Sequence, residues 1–109
     1  MVQTITAQAA SELIAKGEVE VIDVREHAEW SQGHIAGARL LPLTRIQANP
    51  KSVFPPAGVL FVCAGGVRSQ TAARIAKQYG VERIYNLMGG TRAWQNAGLP
   101  LVHELAQSA

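Results

Sequence analysis

The single cysteine of this 109-residue chain, Cys63, lies in the stretch "VCAGGVRSQTAA", residues 62–73. An apolar run comes before it and a loop of small residues follows. Ala64, Gly65 and Gly66 carry minimal side chains, and glycine permits positive φ and close backbone approach. Such a loop can curl until several N–H groups converge on one point and form an anion-binding nest. The helix expected next adds its own unpaired N–H groups, with Ser69 suited to cap it. Arg68 places a permanent cation beside the same point. All of these features favour a thiolate over a thiol. An ordinary cysteine, with a pKa of about 8.5, is only a few per cent ionised at neutral pH, and a depression of about two units makes it mostly ionised. The residues therefore describe a nucleophile, Cys63, on the floor of an anion pocket. A buried, inert core cysteine would need none of this context.

Short elements must position that loop. "VLFV", 59–62, is apolar throughout and predicts a strand buried on both faces. Ser69 to Tyr79 has small or apolar residues on one side and Arg74, Lys77 and Gln78 on the other, an amphipathic helix closed by Gly80. Upstream, Thr6 caps a helix over 7–16, and "VEVIDV", 19–24, reads as a second buried strand. "EHAEWSQG", 26–33, reads as a short helix, "ARLLP", 38–42, as a short strand, and "LTRIQANP", 43–50, as a turn of helix. "PPAG", 55–58, is a turn. Downstream come a strand at 83–87, a turn at Met88-Gly89-Gly90, and a last helix from Thr91, its expected cap, to Ala97. The tail from about Leu101 is expected to be loosely held.

Strands alternating with helices predict one α/β domain with a mainly parallel central sheet and helices on both faces. Sites in such sheets lie beyond the carboxyl ends of the strands, where Cys63 falls. Hydrophobic residues make up 48% of the chain and charged residues 17%, enough apolar content to build one core. The formal charge of +2 is spread along the chain with no basic run, which argues against nucleic-acid binding. One cysteine and three scattered histidines show no metal-ligand spacing, and no cofactor is expected. No apolar run nears the roughly 20 residues of a membrane span, and the first residues do not read as a signal peptide. The location expected from this is cytoplasmic.

Asp23 and Arg25 follow the second strand, either supporting the cysteine loop from beneath or pairing locally at the surface; a structural role is favoured. Glu29, four residues after Arg25, suggests a helical ion pair between them. His34 reads as a turn histidine bonded to backbone rather than a base for Cys63, and Trp30 and Trp94 as core anchors.

Cys63-Ala64-Gly65-Gly66-Val67-Arg68-Ser69 resembles the C-x-x-G-x-R-S active-site loop of rhodanese-family sulfurtransferases. "VIDVRE" at 21–26, "EWSQGHIAGA" at 29–38 followed by Leu41-Pro42, and "MGGTRAWQNAGLP" at 88–100 are similar to three other segments of that family, in the same order. The resemblance spans residues 4–101 and implies a single rhodanese-like domain over 1–109, with a tail from 102. It implies that Cys63 takes a sulfane sulfur from a donor such as thiosulfate, carries it as a persulfide, and passes it to a thiophilic acceptor such as cyanide, a thiol or a protein. It also implies that the N–H groups of Ala64, Gly65, Gly66, Val67 and Arg68 form the cradle, with Arg68 helping to bind an anionic donor.

Two other functions compete. A cysteine phosphatase or arsenate reductase uses Cys-x5-Arg, which would put the arginine at position 69, a serine here; Arg68 gives Cys-x4-Arg, a shorter loop and a smaller pocket. A non-catalytic interaction or regulatory module on the same fold typically loses the nucleophile or the loop, and both are intact here.

Overall fold

The computed structural model describes residues 2–52 and 58–103. The chain alternates strands and helices: β1 (Val2–Ile5), α1 (Ala7–Ala15), β2 (Glu20–Asp23), α2 (His27–Ser31), β3 (Arg39–Leu40), α3 (Leu43–Ala48), a 3-10 turn (Pro50–Ser52), β4 (Val59–Val62), α4 (Arg68–Gln78), β5 (Ile84–Leu87) and α5 (Gly90–Asn96). The expected elements are present within a residue or two of each end. The apolar start at Val2–Ile5 is a strand as well, hydrogen-bonded along β5 at one edge. The turn expected at 55–58 falls mostly outside the described residues.

The five strands pair in the order β1-β5-β4-β2-β3, and every pairing is parallel. Parallel strands carry helices on both faces of the sheet, which explains why β4 is apolar at every position. Val59, Phe61 and, just beyond the strand, Cys63 face one layer with Ile46 of α3 and Ala72, Ala73 and Ala76 of α4. Leu60 and Val62 face the other, with Ala7 and Ala10 of α1 and Trp94 of α5. Each fully buried side chain of this size contributes about 2 kcal/mol by leaving water, so β4 is the firmest anchor for whatever its end carries. No helix among the described residues is long and apolar enough to cross a membrane.

The chain leaves β2 for one edge of the sheet, through β3, and leaves β4 for the other, through β5. The two central strands are register partners to their ends, Asp23 opposite Val62, and the ladder continues with the Val24 N–H on the Val62 carbonyl at 2.8 Å. Their divergent exits open the crevice in which sites of open parallel sheets form. Cys63 lies on its floor.

Three expectations need correction. Ser69 does not cap α4: the helix begins at Arg68 with Val67 before it, and the Ser69 hydroxyl is drawn inward. Thr91 does not cap α5, which starts a residue earlier behind Gly89 (φ +72). The chain at Leu101–Val102 is not loose, because His34 and Val102 exchange backbone hydrogen bonds of 2.8 and 2.7 Å and Leu101 packs on the core. Residues from 104 onward lie outside the described region.

The start of α5 presses backbone to backbone on the cysteine loop. The N–H groups of Thr91 and Arg92 donate to the carbonyls of Cys63 and Ala64 at 2.8 and 3.2 Å. A Cβ on Gly90 (φ +61) would stand 2.2 Å from the Cys63 carbonyl oxygen, a contact only backbone displacement relieves. Gly90→Ala is expected to cost more than about 2 kcal/mol by thermal or denaturant unfolding, the sum of left-handed strain and overpacking. Gly80→Ala, at φ +89 with nothing within 4 Å of its Cβ, carries the strain alone and should cost about 1 kcal/mol.

Candidate active site

Cys63 is held by the loop it opens. Gly66, at φ +98, turns its N–H back onto Sγ at 3.0 Å, and the N–H of Ser69 in the first turn of α4 lies 3.4 Å from the same atom. The Ser69 hydroxyl lies between two acceptors, 3.3 Å from Sγ and against Oδ1 of Asn86 on β5, and its single proton can serve either one. The sulfur is thus ringed by donors although Cys63 is only 1% exposed. Burial pushes its thiol up, but the Ser69 hydroxyl and the N–H groups of Ser69, Gly66 and Gly65 outweigh it and hold the pKa below that of an ordinary thiol. The cradle differs in part from the expected run of Ala64 to Arg68. Gly66 and Ser69 supply it, and among the described residues no hydrogen bond joins Sγ to the N–H of Ala64, Gly65, Val67 or Arg68.

Alternation along the strands explains the Asn86 contact. Asn86 pairs in register with Phe61, two residues after Ile84, and so faces the layer that holds Cys63 and α4. It is 1% exposed. A polar residue on a strand position where the pattern calls for an apolar one was the available signal, and the sequence reading passed over it.

Arg68 is tied down. Its two terminal nitrogens each meet one oxygen of Glu29 at 2.8 Å, a paired fork from α4 to α2. The Arg68 guanidinium, aided by the N–H of Glu26 and against partial burial, holds the Glu29 carboxyl down to about 2. The expected pair between Glu29 and Arg25 is not formed side chain to side chain. Arg25 instead grips Asp23 with three bonds of 2.8–3.1 Å, and both are buried. Its remaining donors reach the backbone carbonyls of Gly33 at 2.8 Å and Glu29 at 3.4 Å. Asp23 and Arg25 therefore act structurally, but one step removed from the loop: they fasten α2 to the end of β2, and α2 presents Glu29 to Arg68.

The histidine and tryptophans are structural. His34 is buried, stacks on Trp30 with ring centroids 3.4 Å apart, and donates from Nδ1 to the Trp30 carbonyl at 3.1 Å. Trp94 is buried and donates from Nε1 to the Pro100 carbonyl at 2.8 Å. Among the described residues no three His, Cys, Asp or Glu side chains gather as a metal site would require.

The family model of the rhodanese-like domain matches residues 6–97. A protein of Allochromatium vinosum named sulfurtransferase is 36% identical over 103 residues, covering 94% of this chain and 96% of its own length. The thiosulfate sulfurtransferase GlpE of Coxiella burnetii is 30% identical over 95 residues, 87% of this chain and 89% of that one. The uncharacterized protein YqhL of Bacillus subtilis is 38% identical over 77 residues, 71% of this chain but only 61% of its own length. Among solved structures, a rhodanese-related protein of Thermoplasma volcanium superposes with a TM-score of 0.83 at 29% identity, over 94% of this chain and 99% of that one.

Ser69→Ala should raise the Cys63 thiol pKa. The midpoint of iodoacetamide alkylation against pH then moves to higher pH, and the rate at neutral pH falls. Glu29→Gln keeps an acceptor for the Glu26 N–H but removes the charge facing Arg68. A depressed carboxylate stabilises the fold fully above its ordinary value of 4.5 and loses that contribution as pH falls through about 2. The variant should therefore be less stable near neutrality, by about 1 kcal/mol for a pair this open to solvent. Its unfolding curve should converge with that of the parent protein between pH 4.5 and about 2.

Proposed function

Because this chain belongs to the rhodanese-like domain family, we propose that it is a sulfurtransferase whose carrier is Cys63, loaded by a thiosulfate-type donor. The observation that carries this reading is a buried sulfur that accepts hydrogen bonds from Gly66 and Ser69 and sits below the ordinary thiol pKa. That environment favours the nucleophilic thiolate at neutral pH. The names of the relatives from Allochromatium vinosum and Coxiella burnetii support transfer of sulfur, and the latter supports thiosulfate as donor.

The chemistry balances on this chain's own residues. The Cys63 thiolate attacks the outer, sulfane sulfur of thiosulfate. A new S–S bond forms as the old one breaks, and its electron pair departs with sulfite. Sulfite is a stable anion, so the step needs no proton donor. The product is a Cys63 persulfide anion, which the N–H groups of the loop and the Ser69 hydroxyl suit as they suit the thiolate. An acceptor then attacks the outer sulfur: cyanide leaves as thiocyanate, a thiolate leaves as a persulfide, and the Cys63 thiolate is restored. Donor and acceptor use the same site in turn, a ping-pong route.

Burial sharpens the choice of substrate. A sulfur on a residue 1% exposed leaves an attacking partner little room for approach. The S–S bond of about 2 Å carries the transferred sulfur outward from the loop floor, towards an acceptor. Arg68, the residue that a phosphate-binding reading would need, has both terminal nitrogens on Glu29. In this proposal it braces the loop rather than gripping the donor.

Intact mass tests the reading. Incubation with thiosulfate should add one sulfur atom to the chain, cyanide should remove it, and Cys63→Ser should gain nothing. A gain that persists in Cys63→Ser would remove Cys63 as the carrier. No gain in the parent protein, with Cys63 open to alkylation, would remove thiosulfate as the donor.

A further inference from the structure

A cation that the cysteine loop itself does not supply stands over that loop. Arg92 lies in the first turn of α5, exposed, with its backbone N–H on the Ala64 carbonyl. Its side chain turns over the loop: Nη1 stands 3.6 Å from where a Cβ on Gly65 would be. Gly65 is exposed, two residues after Cys63 in the same loop. Among the described residues Arg92 has no carboxylate partner, whereas Arg68 is neutralised by both oxygens of Glu29. The surrounding rim, Ala64 to Val67 and Leu87 to Gly90, contains no charged residue. Two of its side chains are open apolar ones, Val67 at 74% and Met88 at 50% exposure.

We infer that Arg92 is the charge-selecting residue of this site, favouring small anionic reagents over neutral ones as they approach Cys63. A fixed charge on an otherwise neutral rim a few ångströms from the approach path changes the local concentration of a monovalent anion by about 3- to 10-fold. A guanidinium also matches the oxygens of a sulfonate-like group with paired N–H donors. The inference deepens the sulfurtransferase reading by assigning the donor's charge preference to α5 rather than to the arginine of the loop.

Alkylation of Cys63 tests this without requiring sulfur transfer. Iodoacetate and iodoacetamide attack the same thiolate and differ in charge, so the ratio of their rate constants cancels any change in thiol pKa. Arg92→Gln should lower the iodoacetate-to-iodoacetamide ratio about 3- to 10-fold, with the iodoacetamide rate close to that of the parent. Arg92→Lys should restore most of the ratio, and raising the salt should bring the parent ratio down towards that of Arg92→Gln. The thiosulfate concentration that half-loads the protein by mass should rise by a similar factor in Arg92→Gln. An unchanged ratio in Arg92→Gln, a larger fall in Arg68→Gln, or a Cys63 closed to both reagents would overturn the inference. If the ratio falls as expected while thiosulfate adds no sulfur to the parent protein, Arg92 selects anions and the choice of thiosulfate is what fails.

Discussion

A sulfur that must carry negative charge while buried has to be met by donors fixed in place before the charge appears. That requirement organises the loop after β4. The N–H groups of Gly66 and Ser69 and the Ser69 hydroxyl close on Sγ within a span of six residues. Gly66 can turn its N–H inward only in a positive-φ conformation, and that turn brings it against the backbone of Gly89. The α5 segment then takes up the carbonyls of Cys63 and Ala64. The loop therefore turns the N–H groups of Gly66 and Ser69 to the sulfur and the carbonyls of Cys63 and Ala64 to α5.

A second set of contacts keeps the loop from drifting across the crevice. Asp23 at the end of β2 orients Arg25, Arg25 fastens the carbonyls of Glu29 in α2 and of Gly33 just beyond it, and α2 holds Glu29 against Arg68. The buried part of this relay is the part whose disruption is costly, because an unpaired charge left inside has no water to turn to. The outer part, at 37% side-chain exposure on both partners, is worth less energetically and serves to fix position. Two strands adjacent in the sheet but far apart in sequence thus share control of one loop.

Much of this architecture is legible in the residues. The uniform apolarity of "VLFV" and the amphipathic run after Cys63 suffice to predict a strand and a helix, and the structure has both, while of the N–H groups expected to converge on the sulfur only that of Gly66 does so, joined by that of Ser69. Side-chain partners are less legible. Glu29 and Arg68 are 39 positions apart, and only the adjacency of α2 and α4 over the sheet end brings them together. Arg25, four residues from Glu29, is the nearer choice by helical spacing, but the buried Asp23 outcompetes the half-buried Glu29 carboxylate for it. Ser69 and Thr91 have the chemistry of caps, yet tertiary contacts claimed both: the Ser69 hydroxyl went to the sulfur and Asn86, and Thr91 became buried inside α5. Local rules name what a side chain can do, and competition among partners decides which it does.

The donors around the sulfur are mostly main chain, and that separates two jobs usually carried by the same residues. The backbone of Gly66 and Ser69 meets the sulfur, while the side chains of Val67, Met88 and Arg92 stand exposed on the loop and the adjoining segment that leads into α5. Substitution at those three outward positions leaves every backbone donor in place. A lineage can therefore redirect such a site to new small molecules or to a protein surface by changing its rim alone. The chemistry below would be inherited unaltered, which makes this loop a module for divergence as much as a site for one reaction.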